Sequence, residues 1–264
     1  DSLGWDSWQR RHSVRLDRIV IGIVDVPAIS NFTDFEPLTW EPDVELVKVK
    51  AHTARDPDVL IFPGSKCTVG ALQFVRAQAL DELARRVLAK GGTVGGICSG
   101  YQLLGRTIRD PHHCESHYTE VLGLGLLPVQ TTLASPKVVQ ALSGTHIESG
   151  ESVIGYHVRM GRTASESDAK RFIYETGSNA LINKGEGISL DGGRLFGTYL
   201  HGLFDQAAFR RWWLNRLRAG KGWEPLSLTA VASLNERIDR LADFVRQHLS
   251  MSMLDRLIEE GVSS

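Results

Sequence analysis

The sequence predicts an α/β fold, a mostly parallel sheet with helices on both faces. Three observations predict it. Short runs rich in β-branched residues recur through the first half of the chain. A stretch with a clear helical period lies between two of them. One glycine-framed strand then runs directly into a helix start. A parallel sheet covered by helices is buried on both sides, so its strands read as nearly continuous apolar runs.

The elements follow in order. "RIVIGIVDV" (18–26) reads as a buried strand, "VELVKVK" (44–50) as a second and "DVLIFPG" (58–64) as a third, stopped by its Pro-Gly pair. "ALDELARRVLAKGG" (79–92) places Leu80, Leu83, Val87 and Leu88 on one face of a helix and closes on a glycine cap. "TVGGI" (93–97) is a fourth strand, and "SGYQLLGRTI" (99–108) begins a helix. The second half differs. "VVQALSGTHI", "SVIGYHVRMGRT" and "GRLFGTYLHGLF" read as strands joined by short turns, and "DQAAFRRWWLNRLR" (205–218) as a helix. The tail, 233–249, carries an apolar stripe of Leu234, Ile238, Leu241, Val245 and Leu249. Such a stripe packs on its own domain or docks on another.

Composition narrows the classes of function. The chain has 264 residues and a formal net charge of −1, so bulk charge points to neither nucleic acid nor an anionic membrane. No apolar run is long enough to span a bilayer. Three cysteines, Cys67, Cys98 and Cys114, at irregular spacing fit a reducing cytosol better than a disulfide scaffold. "HHCESH" (112–117) offers His112, His113, Cys114 and His117, but its spacing matches no zinc pattern and it follows a loop signal, so no metal is expected.

The stretch "GGTVGGICSGYQLLG" (91–105) sets one cysteine among glycines. Strand, tight turn with a nucleophile, then helix is the geometry of a nucleophile elbow. It exposes a thiol at the carboxyl edge of the sheet, near a helix N-terminus that favours thiolate. It also aims the next backbone N–H, that of Ser99, at a developing oxyanion. A thiol nucleophile needs a base. His201, in "GTYLHGLFD" at a strand end, is the first choice among nine histidines, and His157 in "GYHVRMG" the second.

These pieces, with "ISNFTDFEPL" (29–38), "PGSK" (63–66) and "GLGLLPVQTT" (123–132), closely resemble the C-terminal glutamine amidotransferase half of cobyric acid synthases, over about residues 18–218. "ISNFTDFEPL" narrows a cobyrinate-type class I amidotransferase to that family. The resemblance implies a flavodoxin-like class I amidotransferase sheet over residues 18–222, a linker or trimmed start at 1–17 (with Trp5 and Trp8) and a helical tail at 223–264. It implies Cys98 as the nucleophile that attacks glutamine, and His201 as its general base and later the acid for departing ammonia. Backbone N–H groups of Gly64 and Ser99 would form the oxyanion hole, Gln102 would help hold L-glutamine, and Lys137 would anchor its carboxylate.

The sequence departs from the family pattern at several points. Ser99 stands where the family has glycine. "GSKCT" replaces "GSKNT", bringing Cys67 to the oxyanion loop. His157 and Arg159 replace a glutamate and a histidine. Leu203 stands two residues after His201, where the wider class has a glutamate; Asp205 offers itself as an orienter, but the sequence does not assign it that role.

No phosphate-binding loop with its lysine occurs in the chain. The resemblance therefore implies no cofactor here, and places ATP, magnesium and the corrinoid on an N-terminal synthetase domain outside this sequence. It also implies a cytoplasmic enzyme. Two other functions compete. An amidotransferase subunit serving a different ATP-dependent ligase, such as a Mur-type ligase, is disfavoured by "ISNFTDFEPL". A non-catalytic docking domain is disfavoured by the intact Cys98/His201 pair. Glutamine turnover and thiol alkylation separate these classes.

Overall fold

A computed structural model describes residues 17–51, 56–166, 169–176, 185–228, 234–250, 256, 258 and 259. The expected linker at 1–17 and its tryptophans lie almost wholly outside these. The chain divides into two compact units, Asp1–Leu228 and Thr229–Ser264.

In the first unit the strands β1 (Ile19–Val24), β2 (Val44–Val49), β3 (Val59–Phe62) and β4 (Thr93–Ile97) fall where the apolar runs predict. They and β13 (Leu195–Thr198) pair in parallel in the order β13-β4-β3-β1-β2. Alternation splits each strand between two cores. Ile19, Ile21 and Ile23 of β1 and Val59 and Ile61 of β3 face one core, together with Phe209, Trp213 and Leu214 of α4 (Ala207–Gly220). Val24, Leu60 and Phe62 face the other. That second core is covered by α1 (Thr68–Ala77), α2 (Leu80–Ala89) and α3 (Ser99–Leu104). Both faces are apolar because both are covered, which accounts for the unbroken β-branched runs.

The sheet is more mixed than a mostly parallel one. Beyond β13 it continues through β12 (Gly185–Leu190), β11 (Arg171–Glu175), β8 (Val138–His146), β9 (Ser152–Arg159) and β14 (Leu200–His201), all antiparallel. The connection from β8 to β9 is a short loop. A connection of that length reverses the chain and cannot make the crossover that parallel pairing needs. A second sheet has the order β10-β7-β5-β6, built from β5 (Thr107–Arg109), β6 (Glu120–Leu122), β7 (Val129–Thr132) and β10 (Arg162–Ser165). The helix expected to begin in "SGYQLLGRTI" is therefore short. It stops at Leu104 before Gly105, and Thr107 to Arg109 join the second sheet instead.

In the second unit α5 (Leu234–His248) forms where the periodicity places it, with Ile238, Leu241 and Leu249 exposed. No helix among the described residues is long and apolar enough to cross a membrane.

The glycines around Cys98 are required by close approach. A Cβ on Gly100 would stand 1.9 Å from the Phe62 carbonyl oxygen, and one on Gly96 would stand 2.6 Å from the Gly100 carbonyl oxygen. The turn between β4 and α3 packs backbone against backbone, leaving room for no side chain. Gly100→Ala is expected to cost at least roughly 3 kcal/mol of stability, because the obstacle is main chain and cannot rotate away. Gly220→Ala, at a position with nothing within 4 Å of its added Cβ, should lie within about 0.5 kcal/mol of the parent. Thermal melts of the two variants check this; equal melting temperatures would contradict the packing argument.

Candidate active site

Cys98 occupies the elbow with φ 56° and ψ −115°. This is the strained half of the backbone map for a residue with a side chain, and such strain concentrates at functional positions. Its N–H donates to the Thr198 carbonyl of β13 at 2.8 Å, which ties the elbow to the strand leading into β14. Its Sγ–H donates to the Val158 carbonyl of β9 at 3.2 Å.

His201 ends that segment, 0% exposed. Its Nδ1–H donates to Asp34 Oδ2 at 2.7 Å, and the neighbouring Gly202 N–H donates to Asp34 Oδ1 at 3.0 Å. A carboxylate acceptor fixes the proton on Nδ1 and leaves Nε2 for chemistry. The Tyr156 ring stacks on the imidazole, with centroids 5.3 Å apart. The Asn31 side-chain amide lies 3.2 and 3.1 Å from the two ring nitrogens. Burial works to lower the His201 pKa, but the hydrogen bond to Asp34, the contact with Cys98 and the charges of both raise it to about 9. Cys98 is thus near enough for its charge to bear on the imidazole.

Asp34 escaped the sequence reading. It belongs to "ISNFTDFEPL", where the 3-10 segment Phe32–Trp40 follows Asn31 in the left-handed conformation (φ 53°), which Asn tolerates. The Asp34 N–H closes that turn on the Asn31 carbonyl at 3.0 Å and leaves its side chain buried at 4% exposure. A carboxylate placed by a motif with an unexplained polar core was the available signal. The position two residues after His201 holds Leu203, wholly in the core. Asp205 makes no hydrogen bond to His201 and does not orient it. Burial, followed by the charge of Asp34, raises the Asp205 pKa to about 6.

Gly64 and Ser99 flank the nucleophile. A Cβ built on Gly64 would stand 3.5 Å from Cys98 Cβ. The N–H groups of both residues donate to no described group, as expected for the first residue of a helix in the case of Ser99. Gln102 is buried; its carbonyl accepts from Thr68 Oγ1 and its amide donates to Tyr199 Oη, both at 3.0 Å. These bonds hold it in the wall beside Cys98, with one N–H and one lone pair to spare.

Lys137 is exposed, and its charge bears on Glu115, which accepts from the Thr68 N–H at 2.7 Å. Arg159 is half-buried and makes no hydrogen bond or ion pair with a described residue. It follows Val158 in the chain, and Tyr199 senses both its charge and that of Cys98.

His157 is not on the side of His201. In the β9–β14 register Tyr156 pairs with His201 and His157 with Leu200, so the pleat turns His157 to the other face. There it meets Gln140 Oε1 at 3.3 Å. Burial, Arg159 and His201 lower its pKa. Cys67 caps α1, its sulfur accepting from the Gly70 N–H at 3.3 Å. The histidine-rich stretch is a loop organised on Asp110, whose carboxylate accepts from the N–H groups of Cys114, Glu115 and Ser116.

An elbow thiol and an imidazole held by a buried carboxylate lie together on the carboxyl edge of an α/β sheet. The chain belongs to the CobB/CobQ-like glutamine amidotransferase domain family, whose model matches residues 20–209. Glutamine is the substrate that membership implies. The chain is 37% identical to a cobyric acid synthase of Syntrophobacter fumaroxidans over 255 residues, 92% of this chain and 50% of that one. It is 38% identical to a cobyric acid synthase of Clostridium acetobutylicum, over 90% of this chain and 48% of that one. It thus spans about half the length of the curated relatives it matches. Two solved structures share the fold. One is PurLQS from Thermotoga maritima, with TM-score 0.51, 16% identity, and coverage of 70% of this chain and 87% of that one. The other is a glutamine amidotransferase, with TM-score 0.52, 14% identity, and coverage of 75% and 98%.

The raised His201 pKa carries a pH prediction. A group raised from 6.5 to about 9 stabilises the fold fully below about pH 6.5 and loses that contribution as pH rises through about 9. The contribution is roughly 3 kcal/mol. Asp34→Asn should therefore melt well below the parent at pH 6, with the gap narrowing by pH 9.5. Melting curves at both values check this; a constant gap would rule out the ion pair.

Proposed function

We propose that this chain is the glutaminase half of a cobyric acid synthase, supplying ammonia for ATP-dependent amidation of corrinoid side-chain carboxylates in cobalamin biosynthesis. The observation that carries the reading is the Cys98 elbow beside the Asp34-held His201. His201, raised to a pKa of about 9, is protonated at neutral pH, so Cys98 attacks as the thiolate of an ion pair, its proton resting on His201 Nε2, and the sulfur bonds to the side-chain amide carbon of glutamine. The carbonyl electron pair moves onto oxygen, and the free N–H groups of Gly64 and Ser99 receive that oxyanion. The C–N bond then breaks while His201 returns the proton, so nitrogen leaves as ammonia. Water, deprotonated by His201, hydrolyses the thioester to glutamate and restores the thiol.

Asp34 holds the imidazole in the productive tautomer and stabilises its charged form. Gln102 and Arg159 form the glutamine-binding wall. Arg159, whose guanidinium pairs with no described residue and whose charge bears on Tyr199, suits the substrate carboxylate better than exposed Lys137. Nucleotide, magnesium ion and corrinoid are assigned to the half of the relatives that this chain does not span. Three free thiols suit a reducing cytoplasm.

A diazo-ketone analogue of glutamine should label Cys98 ahead of Cys67 and Cys114, and peptide mapping reads the site. A dominant adduct on Cys67 would overturn the assignment. In the enzyme joined to its synthetase half, Cys98→Ser should abolish amidation with glutamine and spare it with free ammonia. Equal loss with both nitrogen sources would make Cys98 structural. Arg159→Gln should raise KM for glutamine by roughly tenfold or more with kcat little changed. An unchanged KM, with Lys137→Gln raising it instead, would return the anchor to Lys137.

A further inference from the structure

We propose that the side-chain hydroxyl of Ser99 positions the oxyanion hole, clamping the Gly64–Ser65 peptide against the nucleophile elbow. The proposal deepens the glutaminase reading and rests on it. The Ser65 N–H donates to Ser99 Oγ at 2.6 Å. The carbonyl of the same peptide, Gly64 O, accepts from the Ser30 N–H at 2.9 Å. A peptide unit is planar, so holding its C=O from one side and its N–H from the other fixes its rotation.

The clamp matters because of the residue it holds. Gly64 carries one of the two oxyanion donors, and glycine has the least restricted backbone of any residue. A Cβ there would meet Ser30 Oγ at 2.8 Å, so Ser30 would have to turn away. The freedom that sterics leave open is removed by the two hydrogen bonds. Ser65 is held further along, its hydroxyl donating to the Pro27 carbonyl at 3.0 Å. Ser99 itself is 2% exposed, so water does not compete for its hydroxyl.

Ser99 thereby serves the site twice. Its N–H is one oxyanion donor, and its hydroxyl ties down the loop that carries the other. The clamped peptide adjoins the Gly64 donor through one Cα, so it limits the rotation of that donor. A glycine at this position, as in the pattern that the sequence otherwise resembles, would leave the Ser65 N–H without that partner. The hydroxyl has no hydrogen bond to the Cys98 sulfur or the His201 ring. Its removal should slow attack on a carbonyl without dulling the thiol.

Two probes of the 264-residue chain separate these effects. A chloroketone analogue of glutamine adds sulfur to its ketone and develops an oxyanion; the sulfur then bonds to the adjacent carbon as chloride leaves, and its bond to the carbonyl carbon breaks as the oxyanion re-forms the ketone. Iodoacetamide is displaced directly at carbon, with iodide leaving and no oxyanion formed. Ser99→Ala should lower the chloroketone rate and kcat for glutamine by about tenfold, less than the roughly hundredfold that outright loss of an oxyanion donor costs, because both donors remain. KM, the iodoacetamide rate and the melting temperature should stay close to the parent, and Ser99→Thr, which keeps the hydroxyl, should recover most of the loss. Three results would overturn the clamp: an unchanged chloroketone rate in Ser99→Ala, a parallel fall in the iodoacetamide rate, or a folded Ser99→Thr that recovers nothing. A parent chain whose Cys98 ignores the chloroketone while reacting with iodoacetamide would instead sink the glutaminase reading, and the clamp with it.

Discussion

The hydrogen bond between Asp34 and His201 joins residues 167 apart in sequence, both removed from water. A carboxylate buried without a partner is costly, and so is a buried imidazolium. Each is tolerated because the other is present, so the segments carrying them are held together or the site does not form. Gly202 N–H takes the second carboxylate oxygen, which leaves Asp34 little freedom to turn away.

Those segments are tied a second time, away from the chemistry. The 3-10 segment that carries Asp34 runs into Glu41 and Asp43, and β14 with its His201 runs into α4. Arg210 and Arg211 of α4 reach Glu41 at 2.7 and 3.1 Å, while Arg211 and Arg218 reach Asp43 at 3.0 and 3.1 Å. All five groups are buried. A network of this kind contributes little net stability over an apolar core, but it permits one register only, because any shift strands a buried charge. The aromatic face of α4, through Phe209 and Trp213, supplies the apolar burial that the ion network does not.

How much of this was legible in the sequence follows from the range of each constraint. The parallel strands and α2 were readable because burial on both faces writes itself locally, as β-branched runs and a helical period. The elbow was readable because backbone-on-backbone packing admits only glycine at Gly96 and Gly100. The antiparallel extension was only half readable: its short turns were visible, but not that β8, β9 and β11 would join the same sheet. The helix after Cys98 was overextended because "RTI" has no helix-breaking residue; pairing of Thr107 with Leu122 and Gln130 decides its state. Asp34 was legible as a carboxylate of "ISNFTDFEPL", but its pairing with His201 was not. The one acid close to His201 in the chain, Asp205, carried no assignment, and long-range pairing leaves no periodic trace. His157 was misjudged as a second base because residue type says nothing of which face of β9 it takes.

The thiol proton has two destinations, and the balance between them is where the fold acts on the chemistry. The Val158 carbonyl, 3.2 Å from the sulfur, accepts a hydrogen bond from the thiol but cannot take its proton. In the proposed reaction the proton rests on His201, and that imidazolium is the species that Asp34 stabilises. The contact with Val158 belongs to the resting thiol and is lost when the proton moves. Val158 lies on β9, two residues from the Tyr156 that stacks on the imidazole. A single strand thus contacts both partners of the pair, and its backbone register against β14 sets how closely the sulfur and the ring are presented to each other. The register has little slack, because a Cβ on Gly155 would stand 1.9 Å from the His201 carbonyl oxygen. The same contact fits β9 closely under β14 beside the imidazole.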